Sequence, residues 1–163
     1  MDQPADAPAA NLPATVALGS DHAGFVLKEQ VATHLTGRGI EVLDLGAHST
    51  DRVDYPDFGE AVGRAVVSGD AGLGIAVCGS GIGIAIAANK VAGVRAATVH
   101  DATSARLARQ HNDANVLCLG ERLTGVQVAL DAVDAWLDAS FEGGRHTGRI
   151  GKIDEIAPHD PAR

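Results

Sequence analysis

Residues 73–90 read LGIAVCGSGIGIAIAANK, and three consecutive features in this run decide the fold. Leu73–Cys78 is short and apolar throughout, as a parallel strand buried on both faces must be. Gly79, Gly81 and Gly83 then make a tight turn, and Ile84-Ala-Ile-Ala-Ala carries the chain on as a helix. Strand, glycine turn and helix in that order make up half of a parallel α/β unit.

The same alternation extends on both sides. Val16–Gly19, Val42–Leu45, Val94–Val99 and Val116–Gly120 are further short aliphatic runs. Leu27, Val31 and Leu35 recur every four residues, and Gly37 and Gly39 end that helix. Pro56 suits a first helical turn, with Phe58, Val62, Ala65 and Val66 on one face. Asp101 is placed to cap a helix running to about Gln110. Val126, Ala129, Leu130, Val133, Trp136 and Leu137 form the clearest apolar stripe, with Thr124 as its expected cap and Trp136 as a core or interface anchor. Five strands alternating with helices predict an α/β protein with a five-stranded parallel sheet covered on both faces.

A chain of 163 residues suffices for one such domain. Residues 1–14, rich in Ala, Pro and Asp, are expected to be a disordered leader, 15–157 a single domain, and 158–163 a flexible tail. Aromatics are 3% of the chain, so aliphatic side chains must fill the core. The formal charge of −8 opposes general nucleic-acid binding, while a small phosphate needs only a local cluster of Arg. The seven His residues show no zinc spacing, so no metal is implied. Two cysteines, neither a signal peptide nor a membrane-length apolar stretch, lead to the expectation of a cytoplasmic protein that does not bind membranes.

In parallel sheets ligands bind at the carboxyl ends of the strands. Polar residues follow several of the runs: Asp21-His22 after the first, Cys78–Gly83 after the third and Arg122 after the fifth. His111-Asn112 lies at a helix end, and Arg145 and Arg149 lie in GGRHTGRI near the C-terminus. These groups are expected to gather at one edge of the sheet. The glycine loop is not a dinucleotide fingerprint, because Ile84 stands where GxGxxG needs glycine. Nor is Gly19–Gly24 a P-loop, since Phe25 and Val26 follow it. What remains is a turn whose amides, backed by a helix N-terminus, suit an anion; glycines kept for close packing would look the same.

Cys78 tips the balance, for it stands immediately before that turn, where the positive helix end favours a thiolate. Cys118, in mid-strand without glycines, fits a buried structural cysteine. His111 is an acid/base candidate, since imidazole exchanges protons near neutrality, and a histidine settled against the helix dipole is the plainer alternative. His22 could contact a substrate hydroxyl or phosphate, or cap its own loop. Arg122, Arg145 and Arg149 offer forked donors for a phosphate, although exposed Arg is commonly just solvated.

Taken in order, SDHAGFxLK, DYPD, CGSGIGIAIAANK, RQHNDANVLCLGER and EGGRHxxRI resemble the type B ribose-5-phosphate isomerase family, which includes galactose and allose 6-phosphate isomerases. The resemblance covers about residues 15–157. It implies a Rossmann-like three-layer α/β/α sandwich and a homodimer, or a pair of dimers, whose active sites combine residues of both subunits. It implies no cofactor, and aldose–ketose chemistry on ribose 5-phosphate, as in the pentose phosphate pathway. Cys78 matches the base of the cysteine-containing branch. The branch with Glu in the loop is not matched, because residues 82–85 are Ile-Gly-Ile-Ala. His111 matches the residue assigned to opening the sugar ring. Asp21, His22, Gly79, Ser80, Gly81, Ile82, Gly83, Asn112, Arg122, Arg145 and Arg149 match substrate-binding positions, Tyr55 is similar to a site-lining tyrosine, and Ser80 is expected to assist catalysis. A six-carbon sugar phosphate or a free pentose are alternative substrates. A non-catalytic phosphosugar sensor is the alternative from another class.

Overall fold

The computed structural model describes residues 12–156. Its elements, in chain order, are β1 (Thr15–Ser20), α1 (Phe25–Gly37), β2 (Glu41–Asp44), α2 (Tyr55–Ser68), β3 (Leu73–Cys78), α3 (Ile82–Ala88), β4 (Ala96–Thr98), α4 (Ala102–Asn112), β5 (Val116–Gly120), α5 (Val126–Leu137) and α6 (Arg145–Asp154). The five strands form one sheet in the order β2-β1-β3-β5-β4, and every pairing is parallel. The α/β sandwich expected from the sequence is therefore present. Residues 1–11 and 157–163, where most of the expected leader and tail fall, lie outside the described residues. Leu12 packs against the core, and Ala14 O accepts the Glu41 N–H at 2.9 Å.

Two aliphatic layers cover the sheet. On one face Leu27, Val31 and Leu35 of α1, Ala105 and Ala108 of α4, and Ala129, Val133, Trp136 and Leu137 of α5 pack on Val16, Leu18, Ile75, Leu117 and Leu119. On the other, Val62 and Ala65 of α2 and Ile84, Ala85 and Ala88 of α3 pack on Ala17, Ala76 and Cys118. Successive residues of β1 alternate between the two layers, as the pleat requires. Trp136 is a core residue, fully buried, and its indole N–H donates to Ala114 O at 3.1 Å.

Local signals account for most helix ends. Asp101 caps α4 in a capping box with Ser104, and Pro56 sits in the first turn of α2. One expectation needs correction, and one helix was not foreseen. Thr124 does not cap α5: Gly125 holds the N-cap position, and the Thr124 hydroxyl is buried without a hydrogen-bond partner. Residues 145–154 form a helix that the apolar pattern does not reveal. Only His146 and Ile150 of α6 are buried, one turn apart.

Lys28 is wholly buried, its ammonium 2.7 Å from the Asp44 carboxylate and 2.8 Å from that of Glu29. Burial alone would raise the Asp44 pKa, but hydrogen bonds from Lys28 and the Gly46 N–H, together with the Lys28 charge, bring it below the ordinary carboxylate value. Breaking a buried pair costs several kcal/mol because a charge is left uncompensated. Here Glu29 remains and Asp44 is partly exposed, so Asp44→Asn is expected to destabilise by about 2 kcal/mol at neutral pH in urea unfolding. A carboxylate with a lowered native pKa stabilises above its unfolded value and loses that contribution as pH falls through the native one. The gap between wild type and variant should therefore close in acid.

Candidate active site

The chain leaves β1 toward β2 on one side and returns through α2 to β3 on the other, so the strand order reverses between β1 and β3. A crevice opens at such a switch point, beyond the carboxyl ends of the two strands. There the Asp21-His22 loop lies beside Cys78–Gly83, joined to the end of β3 by the Asp21 N–H donating to Val77 O at 3.2 Å.

Cys78 ends β3 and is nearly buried, with 3% exposure. The Gly81 N–H donates to its sulfur at 3.1 Å. Gly81 adopts φ +76° as the N-cap of α3, and a Cβ there would stand 2.9 Å from the Leu119 backbone, so only glycine suits this corner. Ser80 Oγ accepts the Ile82 N–H at 3.3 Å, which leaves its own O–H free to donate. Thr98 Oγ1 donates to Gly81 O at 2.9 Å and pins the turn from β4. Cys118 contrasts with Cys78. It is sealed in the core, and burial, with a smaller contribution from Cys78, pushes its thiol well above the ordinary value. Both cysteines are free.

Two further side chains line the turn. A Cβ on Gly83 would fall 2.7 Å from the Tyr55 ring, and one on Gly79 would fall 3.4 Å from the Arg122 guanidinium. Tyr55 and Arg122 therefore lie on opposite shoulders of the loop. Arg122 is fixed there by its own N–H donating to Gly79 O at 3.0 Å. His22 Nδ1 lies 3.0 Å from Val53 O, which orients the ring from the loop ahead of α2. One Asp21 oxygen accepts the N–H groups of Ala23 and Gly24, both at 3.0 Å, so that carboxylate shapes its own turn.

His111, Asn112, Arg145 and Arg149 are elsewhere, which corrects the expectation of one edge. α4 begins after the carboxyl end of β4 and runs back, so its last turn sits at the amino edge of the sheet. There Asn115 N–H donates to Arg95 O, and Gly74 N–H to Asn115 O. Cys78 pairs with Gly120 and Gly74 with Val116, so the length of the strand, about 13 Å, separates the two edges. At the amino edge His111 stacks on His146 of α6, with ring centroids 4.4 Å apart and planes inclined by 12°. The Arg145 Nε–H donates to His146 Nε2 at 3.3 Å. Glu142 approaches both imidazoles, 3.9 Å from His111 Nε2 and 3.8 Å from His146 Nε2. His146 was missed in the sequence because it hides in a run of glycines and arginines. Its four-residue spacing to Ile150 is the signal that marks it.

His111, Glu142 and His146 bring three possible ligand atoms within 4.8 Å of one another. The lone pairs of nearly parallel rings run side by side instead of meeting at a tetrahedral centre, and Arg145 already occupies His146 Nε2. The trio is built as a stack and suits a cation poorly.

A thiol and an amide-lined turn at the switch point of a parallel α/β sheet stand where proteins of this class bind small molecules. Residues 16–153 match the family described as Ribose/Galactose Isomerase, and the chain belongs to that family. It is 50% identical over 141 residues to ribose-5-phosphate isomerase B of Escherichia coli (strain K12), covering 86% of this chain and 95% of the relative. A solved structure of Clostridium thermocellum ribose-5-phosphate isomerase B superposes with a TM-score of 0.86 at 55% identity, over 87% of this chain and 96% of that one. Ribose-5-phosphate isomerase B of Mycoplasma genitalium, solved with bound ribulose-5-phosphate, gives 0.82 at 45% identity, over 86% and 93%. Among the described residues no helix is long and apolar enough to cross a membrane.

Proposed function

We propose that this chain interconverts ribose 5-phosphate and ribulose 5-phosphate through an enediolate, with Cys78 as the base. The observation that carries the assignment of the base is the Gly81 amide aimed at the Cys78 sulfur in the switch-point crevice. The thiolate takes the proton from C2 of the open-chain aldose, beside the aldehyde, and returns it to C1, while a proton passes from O2 to O1. Developing charge on the two oxygens is met by the Ser80 O–H and by the Ser80 N–H, which has no acceptor among the described residues. Tyr55 flanks the turn at Gly83, and Arg122, from the loop after β5, flanks it at Gly79; Asp21 and His22 would contact the sugar from the loop after β1.

Ring opening and phosphate binding fall to the other edge of the fold, to His111, Asn112, Arg145 and Arg149. These cannot reach Cys78 of their own chain, so the reading includes a homodimer in which the amino edge of one protomer faces the crevice of its partner. Two such dimers could pair further. Residues 15–157 act as one domain, located in the cytoplasm, without cofactor. A six-carbon sugar phosphate or a free pentose would use the same chemistry. Comparing turnover of ribose 5-phosphate, allose 6-phosphate and free ribose tests the choice; preference for either alternative overturns it. Proton exchange from ribulose 5-phosphate into water separates an enzyme from a sugar-phosphate sensor, which would bind without exchange.

Arg145→Ala removes a forked donor from the proposed phosphate clamp. Charge-assisted bidentate bonds are among the stronger polar contacts, so KM for ribose 5-phosphate is expected to rise about tenfold or more. The KM for free ribose, which has no phosphate to lose, should change little, while any loss of kcat through the Arg145–His146 contact falls on both sugars. An equal rise of KM on both sugars would count against the clamp.

A further inference from the structure

The geometry points to His146 as a positioning residue that holds the His111 ring for ring opening and links it to the phosphate-binding arginines. This rests on the assignment of ring opening to His111. His111 is a third exposed, in the last turn of a helix, where an imidazole would ordinarily rotate freely. His146 is 6% exposed and supplies a fixed plane 4.4 Å away, inclined by only 12°. Such a stack fixes the tilt of the His111 ring and leaves its outer edge open.

The orientation of His146 is fixed in turn. The Arg145 Nε–H donates to His146 Nε2, so that nitrogen carries a lone pair and the proton of the neutral ring sits on Nδ1. The groups facing His146 are His111 from α4, Glu142 ahead of α6, and Arg145 and Arg149 from α6 itself. Burial, then the charges of His111, Arg145 and Arg149, lower its pKa against the opposing pull of Glu142, which favours the neutral ring. A neutral platform adds no competing acid to the site. The contact with Arg145 gives it a second purpose. When the Arg145 guanidinium turns toward a sugar phosphate, the ring on which His111 rests is held by the same side chain. Phosphate capture and ring opening thus share one linkage.

Ring opening matters only for a cyclic substrate. Ribulose 5-phosphate cannot close a furanose ring, since its O5 carries the phosphate, so exchange of its C1 proton with solvent deuterium reports proton abstraction by itself. His146→Ala is expected to lower kcat on ribose 5-phosphate about tenfold, a fraction of what acid–base assistance is worth, with deuterium exchange into ribulose 5-phosphate within about twofold of wild type. His146→Phe keeps the aromatic plane and should restore kcat to within about threefold. If the Ala variant fails to fold, His146→Leu of similar bulk replaces it, and loss with Leu against retention with Phe is the expected result. Parallel loss of exchange and isomerisation, failure of Phe to rescue, or an Ala or Leu variant equal to wild type would each overturn the role. A wild-type chain inactive on ribose 5-phosphate would instead sink the underlying isomerase reading.

Discussion

Cys78→Ala is expected to lower turnover of ribose 5-phosphate by about 10³-fold or more, the range over which a positioned acid or base acts. The expectation comes from the composition of the crevice. Ser80 is a hydroxyl and residues 82–85 carry no carboxylate, so the glycine loop itself holds no second group able to take a carbon-bound proton; outside it, Asp21 spends an oxygen on its own turn and His22 is held at Val53 O. The fold should survive, because the sulfur is small and the turn is also held by Thr98 Oγ1 and by the N–H groups of Glu121 and Arg122 donating to Cys78 O and Gly79 O. Circular dichroism and the elution volume of the variant should therefore match wild type. Cys118→Ala is the control: its thiol is sealed in the core and held protonated by burial, so the substitution should cost some stability and leave kcat unchanged. Cys78→Ser asks a sharper question, since a hydroxyl of nearly the same shape ionises far less readily than a thiol. Activity close to wild type in the Ser or the Ala variant would remove Cys78 from the chemistry.

Much of this was legible in residues 73–90, where an apolar run, glycines at 79, 81 and 83, and an alanine-rich continuation define strand, turn and helix. α1, α2, α4 and α5 announce themselves by spacing and by Pro56 and Asp101. α6 does not, because Gly148 and Gly151 interrupt its sequence and only one short stripe, His146 and Ile150, is buried. The Lys28–Asp44 pair spans a crossover and is fixed by three-dimensional packing, which no local pattern encodes. Thr124 misled because residue type favours capping while the backbone begins the helix one residue later. The edge on which His111 lies was legible in principle. A crossover helix must return to the amino ends of the strands, so residues at its last turn cannot sit with residues at the carboxyl ends. Read that way, a split between Cys78 and His111 follows from chain order.

That split leads to the second large effect. Mixing inactive Cys78→Ala with inactive His111→Ala protein should create activity. A protomer carrying Cys78→Ala still offers an intact His111, Asn112, Arg145 and Arg149 edge, and one carrying His111→Ala still offers an intact Cys78 crevice. If each site takes its crevice from one protomer and its ring-opening edge from the other, every mixed dimer contains one complete site and one doubly damaged site. Random reassortment makes half of the dimers mixed, so about a quarter of wild-type activity should appear after co-expression or after unfolding and refolding together. The strand separates the two edges by about 13 Å, too far for a side chain to bridge, so a site built within one chain would give no recovery in the mixture. Refolding each variant alone supplies the baseline. A double variant carrying both substitutions in one protomer, mixed equally with wild type, should leave about a quarter of full activity instead of the half that dilution predicts, since its damage falls on both sites of the mixed dimer. Recovery in the first mixture and a fall below dilution in the second is the pattern that only a site shared between protomers produces.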